Sequence, residues 1–141
     1  MPNATSKPDD LFNYFVGQWY ISRILDNCGT ACGIGCFENY IDDNNIYYRE
    51  DLEIQYTHYC NLVIAYREYW YIRNNNCIAK YYADGTKLYE LESYMGRHVC
   101  GHDIYETEYR FFNQQKFTTI TSVTGPNKKY KIVSVFDRIY M

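Results

Sequence analysis

No stretch of the chain approaches the roughly 20 apolar residues that a membrane-spanning helix requires, so no membrane span is expected. Positive charge is also in short supply. Lys and Arg number 14 against 17 Asp and Glu, a formal net charge of −3, which argues against a global pull toward nucleic acid or an anionic membrane surface. Lys128, Lys129 and Lys131 form the one basic cluster, too short to reverse that balance. Residues 1–10 hold Pro2, Pro8, Asp9 and Asp10 and no apolar run, unlike a secretion signal, so a cytoplasmic location is expected. They read as a flexible lead into a single domain over residues 11–141, long enough to bury a core without bridges or metal. Matched cysteine pairs are missing as well. A structural zinc site needs a C-x2-4-C pair and a second to match, and the six cysteines supply no such set, so neither a metal nor another cofactor is expected. Without a secretion signal they read as thiols. Cys28, Cys32 and Cys36 recur every fourth residue, but Gly29, Gly33 and Gly35 disfavour the helix that would bring their sulfurs to one face. Small buried thiols are the expectation there.

Helical periodicity is nearly absent too; the period is two almost throughout. Trp19, Ile21 and Arg23 share one face of a strand over residues 19–25, with Tyr20, Ser22 and Ile24 on the other. Further strands are expected over 33–40, 46–54, 62–73, 77–83, 87–94, 104–112, 117–123 and 130–139, about nine in all. Asp84-Gly85 is the strongest hairpin signal, because a tight primed turn needs the positive φ that these residues tolerate. A helix is expected only over residues 9–15, with Asp9 or Asp10 as cap ahead of Leu11, Phe12 and Phe15. Many short strands without helical crossovers exclude a parallel sheet, and a long meander hides its edges by closing on itself. The fold class is therefore all-β, a closed or nearly closed antiparallel up-and-down barrel with a short N-terminal helix. The 18 tyrosines fit either a strand-rich surface or a tyrosine-lined cavity.

The opening Phe15-Val16-Gly17-Gln18-Trp19 resembles the G-x-W that begins the first strand of lipocalins and their calycin relatives, and Arg138 stands where such barrels often set an arginine against that tryptophan. His98-x-Cys100-Gly101-His102-Asp103-x-Tyr105, Tyr109-x-Phe111, Val123-x-Gly125-Pro126-x-Lys128-Lys129-Tyr130 and Arg138 are similar, in that order, to a bacterial family of lipocalin-like domains with no assigned function. Gly33-x-Gly35-x-Phe37, Tyr48-Arg49-Glu50 and the Asp84-Gly85 turn match the same pattern, whereas Phe117 and Ile120 stand near an expected tryptophan. The resemblance implies a fold and little chemistry. Arg138-Ile139-Tyr140 also resembles the closing R-x-Y of fatty-acid-binding proteins, where the arginine and tyrosine hold a ligand carboxylate.

Charges in phase with apolar residues are candidates for the barrel interior. Arg23 lies in phase with Trp19 and Ile21, Arg138 with Ile132 and Phe136, and Glu50 with Tyr48 and Leu52. Buried charges must be paired, which implies Arg–Glu contacts or an anionic ligand at an arginine. In an extended segment His98, Cys100 and His102 project to one side, and Asp103 and Tyr105 to the other. That cluster can satisfy backbone groups, contact a polar ligand or, less simply, hold a metal or a nucleophile. The candidate ligand-binding residues are Arg23, Tyr48, Glu50, His98, His102, Tyr105, Arg138 and Tyr140. The first functional expectation is an intracellular binder of a small, anionic, partly apolar molecule inside the barrel. A small barrel enzyme using histidine, Glu50 and tyrosine for acid–base chemistry is the second. A structural or protein-interaction domain is the third, and fold alone does not choose among them.

Overall fold

A computed structural model describes residues 10–140. The expected flexible lead therefore lies, Asp10 apart, outside the described residues. Helix α1 (Leu11–Phe15) is followed by β1 (Gly17–Leu25), β2 (Gly29–Tyr40), β3 (Asp42–Tyr56), β4 (Val63–Asn74) and β5 (Cys77–Tyr82). The remaining strands are β6 (Lys87–Glu90), β7 (Met95–Cys100), β8 (Asp103–Asn113), β9 (Lys116–Gly125) and β10 (Lys128–Arg138). All neighbours pair antiparallel in the order β6-β5-β4-β3-β2-β1-β10-β9-β8-β7, so the first and last long strands meet and the sheet curls into a barrel.

Closure is incomplete at one seam. Strands β6 and β7 are the two ends of the sheet; among the described residues no ladder runs between them, and a Glu92–Met95 bridge closes their shared turn. The Tyr89 ring fills the space beside Gly96, where a Cβ would come within 2.3 Å of it. This turn also explains why ten strands stand where nine were expected. Residues 87–94 read as one strand, but Ser93 and Tyr94 take φ of 51° and 63° and reverse the chain without a glycine.

One end is plugged by aromatic side chains. Asp10 caps α1 by accepting from Asn13 N at 3.2 Å, and the short helix turns Phe12 and Phe15 into the barrel. Phe15 stacks on Phe37 at 5.2 Å between ring centres and meets Phe117 edge-on at 5.4 Å. Phe12, Phe15, Trp19, Phe111 and Phe117 are almost wholly buried, each stabilising the fold by about 1.5–3 kcal/mol through lost apolar exposure. Trp19 donates from Nε1 to the Phe15 carbonyl at 2.9 Å, tying β1 to the helix. The Gly33 position lets β2 press against β3, since a Cβ there would lie 1.9 Å from the Asp51 carbonyl oxygen.

The cysteines differ from expectation. Cys28 and Cys32 are exposed and Cys36 is partly so. Strand phase decides this: Ala31, Gly33, Gly35 and Phe37 turn inward on β2, which puts Cys32 and Cys36 on the outer face. All six cysteines are unpaired.

Candidate functional site: the barrel cavity

Beyond the aromatic plug the barrel encloses a cavity of about 320 Å³. Its wall is built by inward positions of β1 to β5 and β7 to β10, and by Leu88 and Tyr89 of β6. Arg23 and Glu50 meet on this wall, Nη1 to Oε2 at 2.7 Å and Nη2 to Oε1 at 3.0 Å. Arg23 Nε donates to Ser134 Oγ at 2.7 Å, and the Tyr48 hydroxyl donates to Glu50 Oε1 at 2.6 Å. Burial by itself would raise the Glu50 pKa; the Arg23 hydrogen bonds and charge, the Tyr48 hydroxyl and the Lys80 charge reverse that and hold it below the ordinary carboxylate value. Burial likewise opposes the charge on Arg23, and Glu50 outweighs it.

A further cation on the wall has a different environment. Lys80 of β5 carries its Nζ over the faces of Tyr69 at 4.1 Å, Tyr71 at 5.3 Å and Tyr89 at 5.8 Å. Among the described residues no carboxylate lies within ion-pair distance of it; Glu50 acts on it only through space. Desolvation lowers its pKa from 10.5 to about 8, with Arg23 and Arg67 pushing the same way and Glu50 pulling back. Arg67 of β4, the ladder partner of Glu50, reaches the cavity from its open end, where it is exposed. Three cations thus line the cavity against one carboxylate, among the described residues. Tyrosine hydroxyls supply the rest of the polarity: Tyr109 meets Tyr89 at 2.6 Å and Tyr71 at 3.4 Å. Burial pushes all three hydroxyls up in pKa, so they remain neutral donors and acceptors at neutral pH.

Of the residues singled out from the sequence, Arg23, Tyr48, Glu50, His98 and Tyr105 line this cavity. His98 and Tyr105 do so together, a correction to their expected opposite sides. The chain does not stay extended: it reverses at Gly101 and His102, and the ladder sets His98 across from Tyr105 on one face. His98 Nδ1 also lies 3.2 Å from the Leu88 carbonyl oxygen, a hydrogen bond across the β6–β7 seam in the Nδ1-protonated tautomer. His102 is exposed in that turn, outside the cavity. Arg138 lies at the plugged end, its guanidinium 4.2 Å from the Trp19 ring, donating to the carbonyls of Tyr14 at 2.7 Å, Val16 at 2.8 Å and Gln114 at 2.9 Å. It does not line the cavity, and Tyr140 beside it is 65% exposed. The expected contact of Arg138 with Trp19 is present; the interior role given to Arg138 has no counterpart in this geometry. Cys100, part of the expected histidine cluster, lines the cavity too; Lys80, Arg67, Tyr69, Tyr82 and Tyr89 do so without having been among the expected residues. Lys80 shares its strand face with Ile78 and Tyr82, and Arg67 with Ala65 and Tyr69, a weak signal because the opposite faces are apolar or aromatic too.

No three His, Cys, Asp or Glu side chains converge as a metal site would require, among the described residues. No helix among them is long and apolar enough to cross a membrane.

Ten antiparallel strands around an internal cavity, with a short N-terminal helix at one end, define a nearly closed β-barrel. The chain belongs to a family of unknown function, DUF6314, which it matches over residues 15–138. No curated protein sequence matches it. Among solved structures it is similar to the S-type phycobiliprotein lyase CPES of Guillardia theta, at 9% identity and a TM-score of 0.60, over 92% of this chain and 91% of that one. It is also similar to a de novo designed fluorescence-activating β-barrel, at 10% identity and a TM-score of 0.54, over 94% of this chain and 100% of that one. A redesigned β-barrel, mFAP1, bound to DFHBI, matches at 8% identity and a TM-score of 0.53, over 90% of this chain and 97% of that one. Identities this low speak to fold alone.

Proposed function

We propose that the protein binds a small, partly aromatic anion inside the barrel, with Lys80 and Arg67 as its charge partners. The observation that carries this reading is Lys80, a cation facing a 320 Å³ cavity across tyrosine rings with no carboxylate at ion-pair distance among the described residues. Desolvating an ammonium in such a wall is costly, and an incoming anion offsets that cost. Arg67 adds a planar fork at the open end, suited to a carboxylate. Arg23 is held by Glu50 and frames the site with its own fork already occupied. The fold's likeness to a redesigned barrel bound to DFHBI supports a role for the cavity in holding a small molecule. Six unpaired cysteines, four of them exposed, suit a reducing compartment such as the cytoplasm.

The alternatives fare less well. An acid–base enzyme would have to work without Glu50, both of whose oxygens are engaged, and without His102, which is outside the cavity. A purely structural domain would not need the cavity, since filling it would add packing. The test is displacement of 8-anilinonaphthalene-1-sulfonate by a panel of small aromatic carboxylates. Lys80→Met and Arg67→Gln should each weaken binding by about 1.5–3 kcal/mol, the range for a charge-assisted hydrogen bond. Unchanged affinity in both variants would remove the anion from the reading.

A further inference from the structure

We propose that Lys80 captures its ligand covalently: its amine condenses with the carbonyl of a small aromatic or unsaturated aldehyde whose anionic group sits at Arg67. This rests on the cavity-binding reading and deepens it by naming the ligand class.

Three features of the site lead here. Ring faces hold the Lys80 nitrogen, and no carboxylate clamps it, so its lone pair is open to the cavity once the proton leaves. Two lysines that face solvent differ in this respect: Lys87 is paired with Glu90, and Lys128 with Asp103 at 3.0 Å. Secondly, the surrounding tyrosine rings and the buried plug limit water, and imine formation releases water, so a dry wall favours the condensed state. Thirdly, the ladder sets Lys80 opposite Tyr71, four residues along β4 from Arg67. The two backbone positions are therefore about 13 Å apart along the strand, a gap that two long side chains and one ring-sized ligand can bridge. The shift of the Lys80 pKa from 10.5 to about 8 agrees with this, since it raises the free-amine fraction at neutral pH about three-hundredfold over an ordinary lysine.

The chemistry balances without an oxidant or a cofactor. The free amine gives its lone pair to the carbonyl carbon, and the π pair of the C=O bond moves to oxygen. A proton passes from nitrogen to that oxygen, giving a carbinolamine. Loss of the hydroxyl as water, with a proton relayed by the cavity's tyrosine hydroxyls, forms the C=N bond. One aldehyde and one amine yield one imine and one water. In its protonated form the imine retains a positive charge, for which Glu50 is the nearby counter-charge, as it is for Lys80 itself.

The experiment uses the full chain with 4-carboxybenzaldehyde, trapped by cyanoborohydride and read by intact mass and peptide mapping. We expect one adduct per chain, on Lys80, forming at least about tenfold faster than on any other lysine. Lys80→Met, checked for folding by circular dichroism, should take up no adduct at that rate. Arg67→Gln should slow trapping of 4-carboxybenzaldehyde more than that of benzaldehyde, which loses only the share of free amine that the Arg67 charge supports at Lys80. Calorimetry with 4-(hydroxymethyl)benzoate, which has no carbonyl to condense, reads the underlying anion site separately. Binding of that alcohol with no labelling of Lys80 by either aldehyde overturns covalent capture alone. Absence of both binding and labelling overturns the cavity reading as well. Adducts confined to Lys128, Lys129 and Lys131 also overturn the proposal.

Discussion

Arg23 and Glu50 join β1 to β3 across the barrel interior by two parallel hydrogen bonds, although the strands they stand on are separated by β2. The pair is nearly buried, with side-chain exposures of 13% and 4%. It spans the sheet's concave face and fixes the curvature of the wall from which the cavity is built. Removing one partner strands the other charge in that wall. Glu50→Gln should therefore cost about 3–5 kcal/mol, read as a lowered urea midpoint.

The same pair sets an acid limit. The Glu50 pKa in the fold lies below its unfolded value near 4.5, so the folded state holds fewer protons than the unfolded chain between the two. Its contribution is complete above about pH 4.5 and is lost as the pH falls toward the folded value. The parent should lose stability more steeply than Glu50→Gln below pH 4.5. Parallel acid-side curves for the two proteins would show that the pair has no such role.

At the other end Arg138 is an internal clamp. It stacks on Trp19 and donates to three backbone carbonyls, joining α1, β10 and the β8–β9 turn. Arg138→Ala should cost about 2–4 kcal/mol, from charge-assisted hydrogen bonds and the cation–π contact together. Ligand affinity measured below the melting range should not change, because the residue lies outside the cavity lining. A large affinity loss in a folded Arg138→Ala protein would return this arginine to the binding site.

The contact of Trp19 with Arg138 was legible because a closing sheet brings its first and last long strands together. Arg23 and Glu50 were legible too, each flanked in phase by residues that belong in a core. Lys80 and Arg67 were hidden by tyrosine. Tyr66 and Tyr71 occupy opposite faces of β4 and are 58% and 3% exposed, so a tyrosine-rich strand shows no contrast between its faces. Strand β5 has Ala79 buried on one face and Ile78 on the other, which erases phase in the same way. The β7 strand escaped notice because its turn uses Ser93 and Tyr94 at positive φ, with no glycine to mark it. The outward-facing thiols of Cys32 and Cys36 show that a small apolar side chain follows the phase of its strand, whatever its own preference.

Side chains hold the β6–β7 seam where a ladder would normally run. His98 Nδ1 reaches the Leu88 carbonyl at 3.2 Å, and the Tyr89 ring covers Gly96. His98→Ala should loosen this part of the wall only. Amide hydrogen exchange is expected to quicken by at least about tenfold across Lys87–Glu90 and Met95–Cys100, with β1 to β3 unchanged. Uniform exchange in parent and variant would mean that backbone packing alone holds the seam.

Lys80 should be a residue that the fold would be more stable without. Its folded pKa of about 8 lies below the unfolded value of 10.5, so between these the unfolded chain binds the extra proton. Stability then rises with pH from about 8, as the folded state sheds a charge that it holds poorly. The buried tyrosines set the upper limit of the window. Their raised pKa values make the folded state hold protons that the unfolded chain releases above pH 10, so stability falls again there. Urea titrations from about pH 7 to 10 should show the parent gaining on Lys80→Met across that range. At pH 7 the variant should be the more stable by about 1–4 kcal/mol, as when a poorly compensated buried charge gives way to an apolar side chain. A saturating aromatic carboxylate should narrow the difference, since it stabilises the parent and binds the variant weakly. If Lys80→Met is instead less stable at pH 7, the ammonium is a structural cation–π partner of Tyr69 and Tyr71, and the cavity's charge is there to hold the barrel together.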